Sequence, residues 1–254
     1  MLHLKCLIML AMALLFAALA TSAGWAATFS VAPVRVMLDG QRRTERLTVK
    51  NESDRPLTLL IKPYLWTQST DGSDRYEEKS DLIIFPKALT VLPGEERAIR
   101  VGIGALPGLV EKAFRIYLEE QPLKDDQTQQ GAVARILMRV GIPVFAQPRQ
   151  PEPVPRFAEM AVAKGTLRLT LTNSGNSFAM AEQVLVRGLD DKGTELFAKA
   201  LGGFYLLAGT TRTLEVPVSK EQCRLATRIT ATTRSNGKEL FMALDKRSSV
   251  CEGQ

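Results

Sequence analysis

Histidine is almost absent from the chain. The one histidine among the 254 residues is His3, and it lies in a leader segment that we expect to be removed. The mature chain would then have no imidazole for acid–base catalysis or for metal ligation. This argues against hydrolases of the Ser-His-Asp and Cys-His types. We therefore expect a protein that is not an enzyme and that needs neither a cofactor nor a metal.

Long apolar runs are missing after residue 26. Met1–Lys5 is a short basic start, Cys6–Ala20 is an unbroken apolar run, and Thr21–Ala26 is rich in small residues. This run is too short to span a bilayer comfortably, and the order of the three parts is that of a secretory signal peptide. We expect residues 1–26 to be cleaved off, the mature protein to have no integral membrane segment, and its location to be the periplasm.

Cysteine is also scarce. Of the three cysteines, Cys6 lies in the leader, which leaves Cys223 and Cys251. A pair of cysteines in an exported protein usually forms a disulfide, whereas two cysteines without histidine make a poor zinc site. We therefore predict a disulfide between Cys223 and Cys251 that closes the last segment of the chain.

Charge is spread rather than concentrated. The formal net charge is +6, and no basic run is interleaved with aromatic residues. A dispersed charge of this kind argues against nucleic acid as a partner. The adjacent carboxylates Glu119-Glu120 and Asp190-Asp191 are poor candidates for glycoside chemistry, because neighbours in a strand or turn do not face each other across a sugar.

Short alternating segments fill the chain after the leader. Apolar and polar residues alternate with period two between turn signals such as Asp39-Gly40 and Pro93-Gly94, and no segment has a 3.6-residue period of helical length. The polar stretch Ser69–Asp81 predicts a hairpin connection. This pattern predicts an all-β protein built from sandwiches. The strands predicted in the first half are Phe29–Leu38, Arg46–Asn51, Leu57–Trp66, Leu82–Phe85, Leu89–Leu92, Ala98–Ile103 and Phe114–Glu120.

A proline-rich segment, Pro148–Pro155, divides the chain. Such a segment is extended and semi-rigid, and it cannot join the interior of a sheet. We interpret it as the linker between an N-terminal domain of residues 27–147 and a C-terminal domain of residues 156–254.

The second half of the chain repeats features of the first. Leu167–Asn173 resembles Leu47–Asn51, since each alternates and ends at an asparagine. Leu206–Val216 likewise resembles Val91–Val101. In each segment an apolar pair is followed two residues later by a glycine, Gly94 or Gly209, and then by alternating apolar residues. This repetition suggests two related sandwiches in tandem. Further strands are predicted at Met180–Leu189, Thr227–Thr233 and Lys238–Leu244.

One alternating stretch, residues 131–145, is much longer than the usual strand of about five or six residues. Its even-numbered residues from 134 to 142 form an apolar face, and the opposite face mixes apolar residues with Arg135 and Arg139. A long apolar strand at the edge of a sheet promotes aggregation. The stretch is therefore either an edge kept open for another protein to pair with or a long interior strand of a sandwich.

Taken together, these features resemble the periplasmic pilus chaperones of the chaperone–usher pathway. The resemblance rests on the order of five features: Arg35, Asp39-Gly40, Leu92–Val101, Phe114–Pro122 and Ile142–Pro148. The residue types resemble the archaic, spore-coat-type branch most. The resemblance implies a boomerang of two immunoglobulin-like domains. It also implies that the long strand is lent to a pilin subunit that lacks one strand, and that the subunit is then delivered to an outer-membrane usher.

The resemblance assigns roles to individual residues. The side chains lent to the subunit, called donor side chains below, are by position Ala134, Ile136, Met138 and Val140. In the family, two basic residues hold the C-terminal carboxylate of the subunit. Arg35 matches the first of them, whereas Pro143 stands where the second, a lysine, is usual.

Since Pro143 carries no charge, the second cation has to come from another position. Phe114–Glu120 and the long strand should be antiparallel neighbours, and this places Arg115 beside Pro143. A guanidinium there could bind a carboxylate with two hydrogen bonds. Arg139 is the rival, although its face of the strand points away from the donor side chains.

Two other functions remain open at this point. One is an exported adhesive or structural protein with two sandwich domains, and the other is a carbohydrate-binding sandwich. For the chaperone interpretation, one more hypothesis is that the free protein covers its open edge by self-association.

Overall fold

The computed structural model describes residues 29–69, 71–78, 81–105, 107–122 and 136–245. Within these ranges the chain folds almost entirely into β-strands, which confirms the predicted class. The predicted signal peptide, Ala134 and Cys251 lie outside the described residues. No helix in the described ranges is long and apolar enough to cross a bilayer.

The N-terminal half forms a sandwich of two sheets around one apolar core. Its strands are β1 (Phe29–Ala32), β2 (Val36–Leu38), β3 (Thr44–Asn51), β4 (Leu57–Gln68), β5 (Asp74–Glu77), β6 (Leu82–Phe85), β7 (Ala88–Val91), β8 (Glu96–Ile103), β9 (Lys112–Glu120) and β10 (Arg139–Ala146). The first sheet has the order β1-β3-β8-β6. The second has the order β2-β10-β9-β4-β5, with β7 beside β4. Buried and exposed residues alternate along the strands because each sheet turns one face to the core.

The leading strand differs from the prediction. Phe29–Leu38 is not one strand, because β1 ends before Pro33 and β2 begins at Val36. β1 pairs with β3 in the first sheet, whereas β2 runs parallel to β10 in the second. Proline has no N–H to donate to a strand ladder, and the chain changes sheets at this point. The segment between the two strands carries Arg35.

The long strand is also shorter than predicted within the described residues. β10 begins at Arg139, and Ile136–Met138 approaches it without strand pairing. Two hydrogen bonds still tie Met138 to the end of β9: Glu120 N–H donates to Met138 O at 2.9 Å, and Met138 N–H donates to Glu120 Oε2 at 3.1 Å. Met138 is therefore still held beside the end of β9, although it lies outside the strand.

The predicted hairpin connection contains a strand that its sequence does not reveal. Within Ser69–Asp81, β5 pairs with the end of β4. All four residues of β5 are exposed, so no burial alternation marks them in the sequence.

The C-terminal half forms a second sandwich around its own core. Its elements are β11 (Pro155–Ala163), β12 (Thr166–Asn173), β13 (Ala179–Ala181), β14 (Val184–Leu189), β15 (Glu195–Leu201), β16 (Phe204–Leu206), β17 (Thr211–Pro217), α1 (Lys220–Leu225), β18 (Arg228–Ser235) and β19 (Lys238–Asp245). The sheets have the orders β11-β12-β17, β13-β16 and β15-β14-β18-β19. The helix begins at the cap Ser219 and holds Cys223, which is buried and disulfide-bonded. Its pairing with Cys251 stays a prediction.

A buried asparagine at the end of a strand confirms the internal repeat. Asn51 ends β3 and Asn173 ends β12, and both side chains are fully buried. Asn51 Nδ2 donates to Val91 O at 2.9 Å, and Asn173 Nδ2 donates to Leu206 O at 3.1 Å. Each amide ties the loop after its strand to the end of a strand in the facing sheet. The turns after β7 and β16 also agree, since each contains a glycine of positive φ: Gly94 (73°) and Gly209 (69°).

Candidate functional site

Strand β10 has an open edge. On one side it pairs with β9 along its whole length. On the other side β2 covers only Val144–Ala146. Among the described residues, Arg139–Pro143 therefore have a strand partner on one side only. The main-chain groups along such an edge can pair with a strand of another chain.

Three of the four predicted donor side chains lie within the described residues. Ile136 is 86% exposed. Met138 and Val140 are half-buried and pack against the core of the N-terminal sandwich, and Ile142, the next residue on the same face, is buried within it. The apolar face thus runs from solvent at Ile136 into the core at Ile142.

Arg115 lies where the antiparallel argument predicts. It stands opposite Pro143 in the register of β9 and β10. Its guanidinium carbon is 4.3 Å from the centre of the Trp66 ring and 6.0 Å from that of Tyr76. Its Nε atom is buried and has no hydrogen bond to any other described residue. Stacking on aromatic rings holds the guanidinium in place while leaving its charge and its N–H groups for another partner.

Arg139 already shares a carboxylate. Its Nε is 2.9 Å from Glu119 Oε1, and its guanidinium carbon is 3.8 Å from the centre of the Tyr117 ring. Lys62 Nζ is 2.7 Å from the other oxygen of Glu119. The hydrogen bond from Lys62, together with the charge of Arg139, lowers the pKa of Glu119. With its charge partly satisfied, Arg139 is a weaker candidate than Arg115 for an incoming carboxylate.

Arg35 reaches across to the C-terminal domain. Its guanidinium carbon is 5.6 Å from the centre of the Phe178 ring, and its Nη1 is 4.0 Å from Met180 Sδ. Its side chain is exposed, and none of the ion pairs in the described part of the chain involves it. Arg35 is therefore a cation between the two domains whose charge is open to a partner.

An aromatic cluster connects these two arginines and joins the domains. Phe145, at the end of β10, stacks on Phe178 with a centroid distance of 3.8 Å and lies 5.9 Å from Trp66. Arg115 lies over Trp66 and Arg35 lies over Phe178, so both border one cluster. Sequence reasoning missed this cluster, because its members are far apart in the chain and no spacing rule connects them.

Gln68 adds a polar contact to the same joint. Its Nε2 donates to Tyr205 O at 2.9 Å, and its Oε1 accepts from Leu207 N–H at 3.0 Å and from Thr210 Oγ1 at 2.9 Å. One side chain of the N-terminal domain thus satisfies three groups of the C-terminal domain. No group of acidic, histidine or cysteine side chains in the described residues could hold a metal ion.

Comparison with known proteins identifies the family. Residues 28–152 match the family described as "Pili and flagellar-assembly chaperone, PapD N-terminal domain". The N-terminal half of the chain is a PapD-type chaperone domain. The match covers the N-terminal sandwich with its open edge and the first five residues of the predicted linker. No curated protein matches the chain in sequence.

Solved structures of PapD-type chaperones show the same two-domain fold. A chain of the CsuC–CsuE chaperone–tip adhesion subunit complex from the archaic Csu pili of Acinetobacter baumannii has a TM-score of 0.61 at 20% identity, with 85% of this chain and 98% of that chain covered. A chain of the complex between the SafA pilin and the SafB chaperone of Salmonella enterica has a TM-score of 0.55 at 13% identity, with 89% of this chain and 99% of that chain covered. The CupB2 chaperone of Pseudomonas aeruginosa has a TM-score of 0.53 at 15% identity, with 86% of this chain and 100% of that chain covered.

These matches confirm the prediction of two immunoglobulin-like sandwiches. The assignment to the archaic branch stays a prediction. The domain limits at residues 148–155 and the roles of the individual site residues stay predictions.

Proposed function

We propose that the protein is a periplasmic chaperone that lends β10 and the segment before it to a pilin subunit and then passes the subunit to an outer-membrane usher. The observation that carries the proposal is the open edge at Arg139–Pro143, in a PapD-type chaperone domain. In β-strand addition, main-chain hydrogen bonds provide affinity and alternate side chains select the register. A binding role of this kind needs no catalytic group.

Ile136 is the donor side chain that the geometry favours most. It is nearly fully exposed and precedes the open edge, whereas part of the surface of Met138 and Val140 already packs against the core of the N-terminal sandwich. Burying an exposed isoleucine side chain stabilises a complex by about 1.5–3 kcal/mol. We propose that Ile136 enters the subunit, and that Met138 and Val140 contribute their outer surface.

Arg35 and Arg115 are the proposed anchors for the subunit's C-terminal carboxylate. Both border the aromatic cluster between the domains, and neither is in an ion pair with another described residue. Arg139 is assigned instead to the local pair with Glu119. Self-association of the free protein through the same open edge stays a hypothesis.

The decisive experiment is co-purification from the periplasm with a tagged chaperone. The wild type should bring down a small exported β-protein in equal amount, and Ile136→Asp should not, because a carboxylate cannot enter an apolar groove without a large cost. Phe241→Asp is the matched control, since Phe241 is also an exposed apolar residue (62%) but lies on β19. If Ile136→Asp is folded and retains the subunit, the strand-lending role is wrong, and the adhesive or sugar-binding alternatives return.

A further inference from the structure

Glu111 is a buried carboxyl at the joint between the two domains. It immediately precedes β9 and is only 9% exposed. Its main-chain N–H donates to Asn176 O at 2.9 Å, and its Oε1 accepts from Phe178 N–H at 3.0 Å. Both partners belong to the C-terminal sandwich, so the residue bonds across the joint with its backbone and with its side chain.

One oxygen of this carboxyl is left without a partner. Oε2 is buried and makes no hydrogen bond of normal length and angle to any described residue, although the Gln147 side chain lies near enough to act on the carboxyl. Burying an ionised carboxylate that has one unsatisfied oxygen costs much more free energy than burying the neutral acid. Burial raises the pKa of Glu111 to about 7, against the opposing influence of the Phe178 N–H and the nearby Gln147 side chain.

No charged group in the described part of the chain compensates this carboxyl. The two polar groups that act on it, the Phe178 backbone and the Gln147 amide, are neutral. Lys112 follows it in the chain, but its Nζ lies 2.7 Å from Asp81 Oδ2. Arg149, two residues beyond Gln147, is exposed. The charges on the flanking segments are therefore engaged elsewhere or lie in solvent.

We propose that Glu111 is a positioning residue whose protonation tightens the docking of the two domains and whose ionisation loosens it. When the domains separate, the carboxyl regains water, and its pKa falls toward the ordinary value of 4.5. Protonation therefore favours the docked arrangement. Docking is strongest below pH 4.5, weakens as the pH rises through 7, and becomes constant about one pH unit above that. The difference between the two pKa values corresponds to at most about a 300-fold change in the docking equilibrium.

Docking matters for the proposed carboxylate anchors because Arg35 and Arg115 border the aromatic cluster that the two domains share. Both anchors belong to the N-terminal sandwich, and a looser joint would take the Phe178 ring away from the Arg35 side chain. That consequence rests on the proposed function, whereas the docking equilibrium itself can be measured without any subunit.

Fluorescence of Trp66 reports the joint, since its ring centre lies 5.6 Å from that of Tyr205 in the C-terminal domain. In a Trp25→Phe background Trp66 is the only tryptophan. Between pH 5 and 8 the emission should shift to longer wavelength with a midpoint near 7. Glu111→Gln keeps an oxygen acceptor and cannot ionise, so its emission should stay at short wavelength throughout. The only histidine is His3, so no imidazole in the described residues contributes.

Gln68→Ala is the matched control, because it removes interdomain hydrogen bonds without removing a titrating group. It should shift the emission to longer wavelength at every pH and still show a pH-dependent transition, which Glu111→Gln should lack. Identical pH profiles for the wild type and Glu111→Gln would overturn the proposal. If Glu111→Gln does not fold, carbon-13 NMR of the wild-type Glu111 carboxyl decides: a midpoint near 7 supports the proposal, and one below 5 refutes it.

Discussion

Arg115 is held mainly by aromatic rings rather than by an opposite charge. Its guanidinium lies over Trp66, and no ion pair in the described part of the chain involves it. Stacking of this kind contributes about 0.5–2 kcal/mol and fixes the plane of the guanidinium. A planar guanidinium can still donate two parallel hydrogen bonds to a carboxylate, which a lysine ammonium cannot. Stacked in this way opposite Pro143, Arg115 is a physically reasonable substitute for a lysine at that position.

Replacing Arg115 with alanine should weaken subunit binding by about 2–5 kcal/mol, because a buried carboxylate would lose its charged partner. Arg139→Ala is the matched control, since Arg139 lies on β10 beside β9 but shares Glu119. We expect it to change the affinity less than about threefold, the effect of an exposed ion pair. Titration calorimetry with purified subunit measures both values. Equal losses for the two variants would show that Arg115 has no special role.

At the scale of the element, β10 has two parts with different environments. Val144–Ala146 lies between β2 and β9, and it fixes the strand in the sheet. Among the described residues, Arg139–Pro143 has a strand neighbour on one side only, and a proline is tolerated at such an edge position. In the described part of the chain, the end of the strand is thus held between two neighbours, whereas its beginning is paired on one side only.

Gly141 allows the outer face of β10 to pack closely against β9. A Cβ atom at this position would lie 2.9 Å from Tyr117 Cε1 and 3.2 Å from Arg115 Cδ. Gly141→Val should therefore displace both side chains and lower the free energy of unfolding by about 1–3 kcal/mol. Chemical denaturation followed by circular dichroism measures this change.

The control for that prediction is Gly202→Ala. A Cβ atom at Gly202 would have no neighbour within 4 Å, so the change should stay within about 0.5 kcal/mol. Unchanged stability of Gly141→Val would mean that Tyr117 and Arg115 adjust at no cost, and that the close approach is not a constraint on β10.

At the scale of the whole molecule, the two domains meet through a small set of unlike contacts. The aromatic cluster supplies apolar burial through Trp66, Phe145 and Leu207. Gln68 satisfies polar groups on the other side, and Glu111 leaves one oxygen unsatisfied. Because the polar groups of the joint are not all hydrogen-bonded, a change at one side chain can shift the equilibrium between docked and separated domains.

Gln68→Ala should make the angle between the domains more variable. Three groups of the C-terminal domain would each lose one hydrogen bond, and a hydrogen bond of this kind contributes about 0.5–1.5 kcal/mol. Small-angle X-ray scattering should then show a larger radius of gyration. Gln41→Ala is the control, since Gln41 is exposed in a loop of the N-terminal domain, and it should leave the scattering curve unchanged. An unchanged curve for both variants would mean that the aromatic cluster alone sets the angle.

Much of the fold and part of the site follow from local patterns. The period-two alternation predicts the all-β class, and the repeated asparagine and glycine positions predict two related sandwiches, because these features depend on residues close together in the chain. The antiparallel register that puts Arg115 opposite Pro143 also follows, since alternation constrains which faces of neighbouring strands match.

Other features depend on contacts between distant residues, and these only the folded chain reveals. The change of sheet near Pro33, the stacking of Phe145 on Phe178 and the burial of Glu111 each depend on strands from different parts of the chain meeting. Alternation shows which residues share a face of a strand, but not which other strand or domain covers that face. Tertiary packing therefore determines the joint between the domains and its aromatic cluster, whereas the local sequence determines the strands that build them.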